Sequence, residues 1–334
     1  MFKSLNFKVI LFGFIFTFFS SFGQSFFLGL FNSSIREELS ISHGQFGSIY
    51  ASATLLSSFV LVWVGKKIDD VNILKFASYV AVSLAISCFL FSKISSIFFL
   101  FFSIFLMRLS GQGLMSHTAT TTISRYFERS RGRALSATWL GLSLAEFILP
   151  LLIVFLLTIF EWRNIWLSIS ILVIIVLPLV SFFLVKNINL ESREKSNKEN
   201  KKPKKIKQWK RVEVLKDYRF YIVCLNMLAM PWIATGSFVY QSFISSSKDW
   251  GPYVIAQSFM VYSILSVVTL FISGFLIDRF SSRRLLIYMN IPLLFSAFVL
   301  FYFTSPISSF VFFGLIGISN GLANVLGSST WAEI

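Results

Sequence analysis

The sequence predicts an all-α polytopic membrane protein, and three observations carry that prediction. Of 334 residues, 55% are hydrophobic and 13% charged, with 41 Phe, and the mean hydropathy is +0.75. Apolar runs near twenty residues long recur along the chain, about the length needed to cross ~30 Å of hydrocarbon. The basic residues fall between these runs and crowd the alternate loops. A soluble core has no use for that much apolar surface. In lipid each backbone must satisfy its own hydrogen bonds, which a helix does within one segment, so the runs are read as helices.

Ten spans follow in order: 9–31, 46–64, 73–91, 97–123, 134–160, 165–185, 220–244, 253–277, 285–303 and 307–326. The first follows MFKSLNFK and superficially resembles a signal peptide. It is longer than a signal core and more spans succeed it, so it is read as an uncleaved helix. Pro150, Pro178 and Pro231 lie inside spans, where they predict local kinks rather than breaks. Between the sixth and seventh spans comes KNINLESREKSNKENKKPKKIKQWKRVEVLKDYR, with thirteen Lys/Arg against five Asp/Glu. A stretch so charged cannot enter hydrocarbon. The chain is therefore divided into an N-terminal six-helix half (1–185), a basic central loop (186–219) and a C-terminal half of four helices (220–334).

Loop charge sets the orientation. With the N-terminus inside, the inner segments hold 25 Lys/Arg and the outer loops hold four: Arg36, Lys93, Arg163 and Lys248. That asymmetry places the N-terminus in the cytoplasm, and the basic loops are expected to lie against anionic lipids of the inner leaflet of a plasma or inner membrane. The net charge of +15 would otherwise suggest nucleic acid. Here the charge is spread between membrane spans, not gathered on one folded face, so no nucleic-acid partner is expected. Two Cys (Cys88, Cys224) and two His (His43, His117) give no metal-ligand spacing. No catalytic residues, metal or cofactor are expected.

Two loops at corresponding places carry related sequences: GKKIDDVNILK (65–75) after the second span and GFLIDRFSSRR (274–284) after the eighth. Both place Gly first and Asp fifth, as Gly65 with Asp69 and Gly274 with Asp278. Arg279 and Arg283-Arg284 follow in the second copy. Recurrence at the second loop of each half is the mark of a duplicated transporter fold. The loops resemble the G-x-x-x-D-R-x-G-R-R signature of the major facilitator superfamily. The second copy has Ser281 for the second Gly, and the first has Asp70 for Arg and Asn72 for Gly. RLSGQGLMSH (108–117) resembles that superfamily's R-x-x-x-G-x-G element with one residue fewer before its first Gly, and RYFERSRGRA (125–134) resembles the four–five loop of its monocarboxylate and oxalate/formate-like branches. GLSLAEFILP (141–150) stands where the Gly/Pro-rich fifth-helix motif belongs. The resemblance implies two pseudo-symmetric helical halves with 10 of 12 transmembrane helices present, and hence a C-terminally truncated chain.

Charges within spans are expensive and commonly functional or paired. Arg108 and Glu146 are the two deep ones, and at ~1.5 Å rise per residue both reach mid-membrane. They are expected to face the cavity between the halves, as an ion pair or as a substrate and proton site. The bland reading is a structural pair fixing the fourth helix on the fifth. Gln112 is one turn from Arg108 and shares its face. His117 points to the opposite face and is read as a packing hydrogen bond. Helices one, four, seven and ten line the cavity in the superfamily, which adds Gln24, Asn226, Gln241, Asn320 and Asn324, each of which could equally be interhelical glue. Gly65, Asp69, Gly274, Asp278, Arg279 and Arg283 are the expected gating loops.

The resemblance implies a secondary active transporter of a small solute working by alternating access, with a small organic anion of monocarboxylate type as substrate and a proton gradient as the driving ion. A monomer is expected. The alternative is a non-transporting remnant or transporter-like sensor, which the eroded first signature loop and the two missing helices would favour. An integral-membrane enzyme needs a polar catalytic cluster at one interface. Two scattered His and one deep Glu do not supply it.

Overall fold

The computed structural model describes residues 2–127, 131–186, 188, 211–280 and 282–333, and among these there are helices and no strand. Among the described residues, ten helical stretches are long and apolar enough to cross a membrane: Asn6–Gly29, His43–Asp69, Ile73–Ser92, Ile97–Tyr126, Arg131–Leu157, Trp162–Val185, Tyr218–Val239, Tyr253–Ile277, Arg284–Tyr302 and Pro306–Leu326. They match the ten apolar runs to within a few residues, and the chain is an integral, multi-pass membrane protein. Most of the basic segment 186–219 lies outside the described residues.

The chain divides into two compact units, Met1–Ser196 with Val239–Phe243, and Asn197–Phe238 with Ile244–Ile334. In the first unit, α1 (Phe2–Ser20), a 3-10 turn (Ser21–Gly23) and α2 (Ser25–Gly29) make the first span. A short α3 (Asn32–Leu39) follows and stops at Ser40, whose φ of 51° is left-handed. Next come α4 (His43–Lys66) and α5 (Ile73–Ser92). The fourth span is α6 (Ile97–Met107), a π-helical stretch (Arg108–Met115) and α7 (Ser116–Tyr126). The last two spans of this unit are α8 (Arg131–Leu157) and α9 (Trp162–Val185), continuous through Pro150 and Pro178.

Polar side chains at the loop ends set where these helices start. Ser42 and Gln45 form a reciprocal capping box on α4, Gln45 N–H donating to Ser42 Oγ at 3.2 Å and Ser42 N–H to Gln45 Oε1 at 2.8 Å. Such a box satisfies two of the four donors left open at a helix start. Asn72 accepts from Leu74 N–H at 2.9 Å and Ser96 from Phe99 N–H at 3.3 Å, opening α5 and α6.

Within the unit, α8 packs along α1 and α9 along α5. Each contact is pinned by a buried hydroxyl, Thr17 Oγ1 donating to Thr138 O at 2.6 Å and Ser170 Oγ to Ala85 O at 2.8 Å. Helices in lipid gain little from apolar burial against each other, so close packing and such hydrogen bonds do the joining. Trp166 is fully buried among Phe27, Phe31 and Phe91, at ring distances of 5.4, 5.1 and 4.5 Å. At one end Arg163 ties three loops together. It donates to Ser92 O at 2.7 Å, to Ile94 O and to the Glu38 carboxylate, and lies 4.4 Å from the Trp162 ring centroid.

The second unit comprises α10 (Arg211–Lys216), α11 (Tyr218–Val239, through Pro231), α12 (Gln241–Ser247), α13 (Pro252–Arg279), α14 (Ser282–Tyr288), α15 (Ile291–Tyr302) and α16 (Pro306–Glu333). The end of α11 and the start of α12 cluster with the first unit. Its densest packing joins α13 to α16, through Ser258 and Ser309 at 2.8 Å and the Phe259–Phe313 ring pair at 4.8 Å. Cys88 is buried, Cys224 half-buried, and neither is in a disulfide.

Candidate functional site

The first unit holds a point where two spans abandon regular α-helix side by side. In the first span, the 3-10 turn Ser21–Gly23 passes into Gln24, whose extended backbone (φ −82°, ψ 153°) interrupts the helix. In the fourth span, Arg108–Met115 winds as a π-helix, a form that occurs mostly as single turns at functional positions. Gly23 and Gly111 let these backbones touch. A Cβ on Gly23 would lie 2.3 Å from Met107 O and 2.5 Å from Gln112 N, and one on Gly111 would lie 2.7 Å from Gly23 Cα. No side chain fits there.

Arg108 sits at this crossing and is 5% exposed. One terminal nitrogen donates to Gly23 O at 2.9 Å, a carbonyl freed by the broken helix. Its guanidinium lies 5.3 Å from the centroid of the Tyr50 ring, a cation–π distance. Its Nε is buried with no hydrogen-bond partner. Tyr50, on α4, is 4% exposed. Ser25 and Thr54 lie beside its hydroxyl as its hydrogen-bonding neighbours. Sequence reasoning passed over Tyr50. Its signal was an O–H in an otherwise apolar run, a group that needs a partner when buried.

Of the two readings of Arg108 and Glu146, an ion pair or a substrate and proton site, the ion pair is not made among the described residues. Arg108 spends its one hydrogen bond on Gly23. Glu146 is buried at 6% exposure and makes no ion pair or hydrogen bond among the described residues. The reason is the rotation of the two helices. Arg108 turns towards the first-span break and α4, whereas α8 packs along α1, with Thr138 against Gly13 and Gly141 against Phe14. That parallel register carries Glu146, five residues beyond Gly141, to the level of the Ser21–Gly23 turn at ~1.5 Å per residue. Gln24 and Gln112 directly follow the two crossing glycines. Both are half-buried, and neither side chain makes a hydrogen bond among the described residues.

The remaining expected positions fall in both units. Gln241 lies beyond the seventh span, which ends at Val239 and not at 244 as the apolar run suggested. It clusters with the first unit and donates through Nε2 to Phe26 O at 2.9 Å. In the second unit, Asn320 donates to Ser266 Oγ at 2.8 Å, the carbonyl of Asn226 accepts from Asn290 at 2.8 Å, and Asn324 is exposed. In the first signature loop, Asp69 pairs with Arg125 at the end of α7. The Gly65 carbonyl lies 3.0 Å from His117 Nε2. In the second, Gly274 opens on free space and Arg279 is exposed, while the side chains of Asp278 and Arg283 lie outside the described ones. Among the described residues no group of three or more His, Cys, Asp or Glu could hold a metal ion.

Residues 13–333 match the family model of the Major Facilitator Superfamily. No curated protein matches the chain. Among solved structures, it is similar to a bacterial homolog of the human lysosomal transporter Spinster in an inward-facing and occupied conformation. That match has 14% identity and a TM-score of 0.68, over 98% of this chain and 73% of that one. It is also similar to the nucleoside transporter NupG, at 14% identity and a TM-score of 0.69, over 98% of this chain and 82% of that one. At these identities the likeness is one of fold.

Proposed function

The chain belongs to the Major Facilitator Superfamily, and on that premise we propose that it is a secondary active transporter, not an enzyme, that carries a small organic anion by alternating access. The observation that supports an anion is the Arg108 guanidinium, buried with no carboxylate on it among the described residues. Arginine stays charged in any protein environment, and an unpaired buried ion costs several kcal/mol. A substrate carboxylate taking the free side of the fork supplies the counter-charge. Gln24 and Gln112 offer amide donors and acceptors beside it.

Glu146, the other deep ionisable group, takes the role of proton carrier, so that a proton gradient drives the anion. Gln241, Asn226, Asn320 and Asn324 are secondary candidates along the path. The N-terminus then faces the cytoplasm at a plasma or inner membrane, with anionic lipid around the basic loops. The Asp69–Arg125 pair and the loop from Gly274 to Arg283 then act as cytoplasmic gates, and the working unit is a monomer.

Uptake into vesicles tests this reading, with labelled acetate, lactate and uridine as probes, each with and without an imposed pH gradient. The expected result is saturable carboxylate uptake that is abolished in Arg108→Ala and no longer follows the gradient in Glu146→Gln. Uridine is the second arm because a nucleoside transporter shares the fold and two unspent amides suit a polar neutral solute. Uridine uptake without carboxylate uptake would overturn the anion reading.

A further inference from the structure

We propose that the first unit carries a second ligand site, at the end where α4 begins, which takes a primary ammonium group on an apolar stem. It shares no residue with the Arg108 crossing and stands whether or not the anion reading does.

A cavity of about 420 Å³ opens between α3 and the turn from α8 to α9, a size within the range of small-molecule sites. Its walls divide by chemistry. Leu157, the last residue of α8, and Phe160, 52% exposed, form the apolar side. Ser34 and Glu38, one turn apart on α3, form the polar side with Glu161. These three lie between membrane spans, whereas Leu157 ends one. The cavity therefore straddles the edge of the hydrocarbon.

Charge decides what fits. Arg163 is already committed, donating to Ser92 O, Ile94 O and Glu38 Oε1. The other Glu38 oxygen accepts from Trp162 Nε1 at 3.1 Å, and the Arg163 guanidinium lies over the Trp162 ring. That ion pair balances Glu38 and leaves Glu161. The Glu161 carboxylate does not cap α9, and it makes no ion pair or hydrogen bond among the described residues. One uncompensated negative charge beside an apolar wall selects a cation with a hydrocarbon arm. A primary ammonium brings three donors and no acceptor, which suits Glu161, the remaining lone pairs of Glu38 and the Ser34 hydroxyl. An anion would meet two carboxylates and a guanidinium already spent. The same ammonium chemistry occurs in soluble hydrophobic amines and in the headgroup of an aminophospholipid.

Equilibrium binding of 2-phenylethylamine to the purified chain in detergent tests it, with 2-phenylethanol and phenylacetate as neutral and anionic analogues. Only the amine is expected to bind, and more weakly as salt rises, because the charges are partly exposed. Glu161→Gln should weaken binding about fivefold, the upper range for a partly exposed ion pair, and Glu161→Asp should recover most of it. The Glu161→Gln protein should melt within about 1 °C of wild type, which separates lost binding from lost folding. Phe160→Ala, which removes the apolar arm's contact, should also weaken binding about fivefold. Equal binding of amine and alcohol overturns the inference, as does wild-type binding by Glu161→Gln. Competing phosphatidylethanolamine and phosphatidylcholine distinguish the sources. Competition from the ethanolamine lipid alone makes the occupant a lipid headgroup, and competition from neither makes it a soluble amine. Equal competition from the choline lipid, which has no N–H donor, overturns the primary-ammonium assignment.

Discussion

Replacing Gly23 by Ala tests the crossing on which the candidate site is built. The added Cβ would meet three backbone atoms, at 2.3 Å from Met107 O, 2.5 Å from Gln112 N and 2.8 Å from Gly111 Cα, where ordinary contact begins at 3.4 Å. None of them can swing aside as a side-chain tip would, so the two spans must separate by about 1 Å. Overpacking of this kind costs about 3 kcal/mol, the upper part of its usual range. The same separation stretches the 2.9 Å bond from Arg108 to Gly23 O beyond hydrogen-bond length, which removes about 1.5 kcal/mol more for a charged donor. Together that is roughly 4.5 kcal/mol, or a fall of about 9 °C at ~2 °C per kcal/mol for a long chain. Thermal unfolding of the purified protein in detergent measures it, with Gly236→Ala as control. At Gly236 a Cβ meets no atom within 4 Å, and alanine in a helix interior is worth up to ~1 kcal/mol over glycine. The control should therefore melt at or slightly above wild type. If Gly23→Ala melts within about 1 °C of the control, the crossing is not tight and the reasoning fails.

Three further outcomes follow from the packing. Arg163→Ala should lower stability by about 2 kcal/mol, because three loops lose their common donor. The figure is discounted for a side chain 27% exposed, and Arg163→Lys should recover less than half of it in the same melt, since one ammonium lacks the planar fork. Trp166→Ala should cost about 3–5 kcal/mol, the range for a large aromatic removed from a closed core, and show as loss of monodisperse protein on size exclusion. Asp69→Asn should change stability by no more than about 1 kcal/mol, as its pair with Arg125 is partly exposed, yet slow transport. Initial rates measured beside the melt separate a gate from a strut, and a loss of 3 kcal/mol or more would make it a strut.

The ten spans were legible because bilayer thickness fixes the length of an apolar run whatever its partners. The interruption at Ser21–Gln24 was not. Hydropathy averaged over a window does not register backbone form, and the run from Val9 to Phe31 reads as one unbroken helix. Arg108 and Glu146 stood out as charges in hydrocarbon, so their depth could be read. Whether they meet depends on the rotation of each helix about its axis, which the Gly141–Phe14 and Gly23–Gly111 contacts decide and no periodicity reveals. Tyr50 was hidden for a different reason. A single tyrosine does not interrupt a long hydrophobic run, and its place beneath the Arg108 guanidinium is seen only once the helices are packed. Gln241 was misplaced by the same averaging, which ran the seventh apolar segment through the turn at Tyr240.

The π-helical stretch has a consequence for the fourth span as a whole. An i→i+5 turn takes in one residue more than the α-helical ladder needs, so α7 is set out of phase with α6 by about one residue, ~100° of azimuth. The span thus behaves as two screws of the same pitch cut at different angles and joined at Arg108–Met115. Its upper thread packs against α4 and α5. Its lower thread answers to the first signature loop, through His117 and Arg125. Losing one residue from the joint would heal the ladder and leave every hydrogen bond of an ideal helix in place. It would also throw one thread out of mesh with its neighbours. The irregular turn is the phase adjuster that lets a single helix satisfy both ends of its bundle.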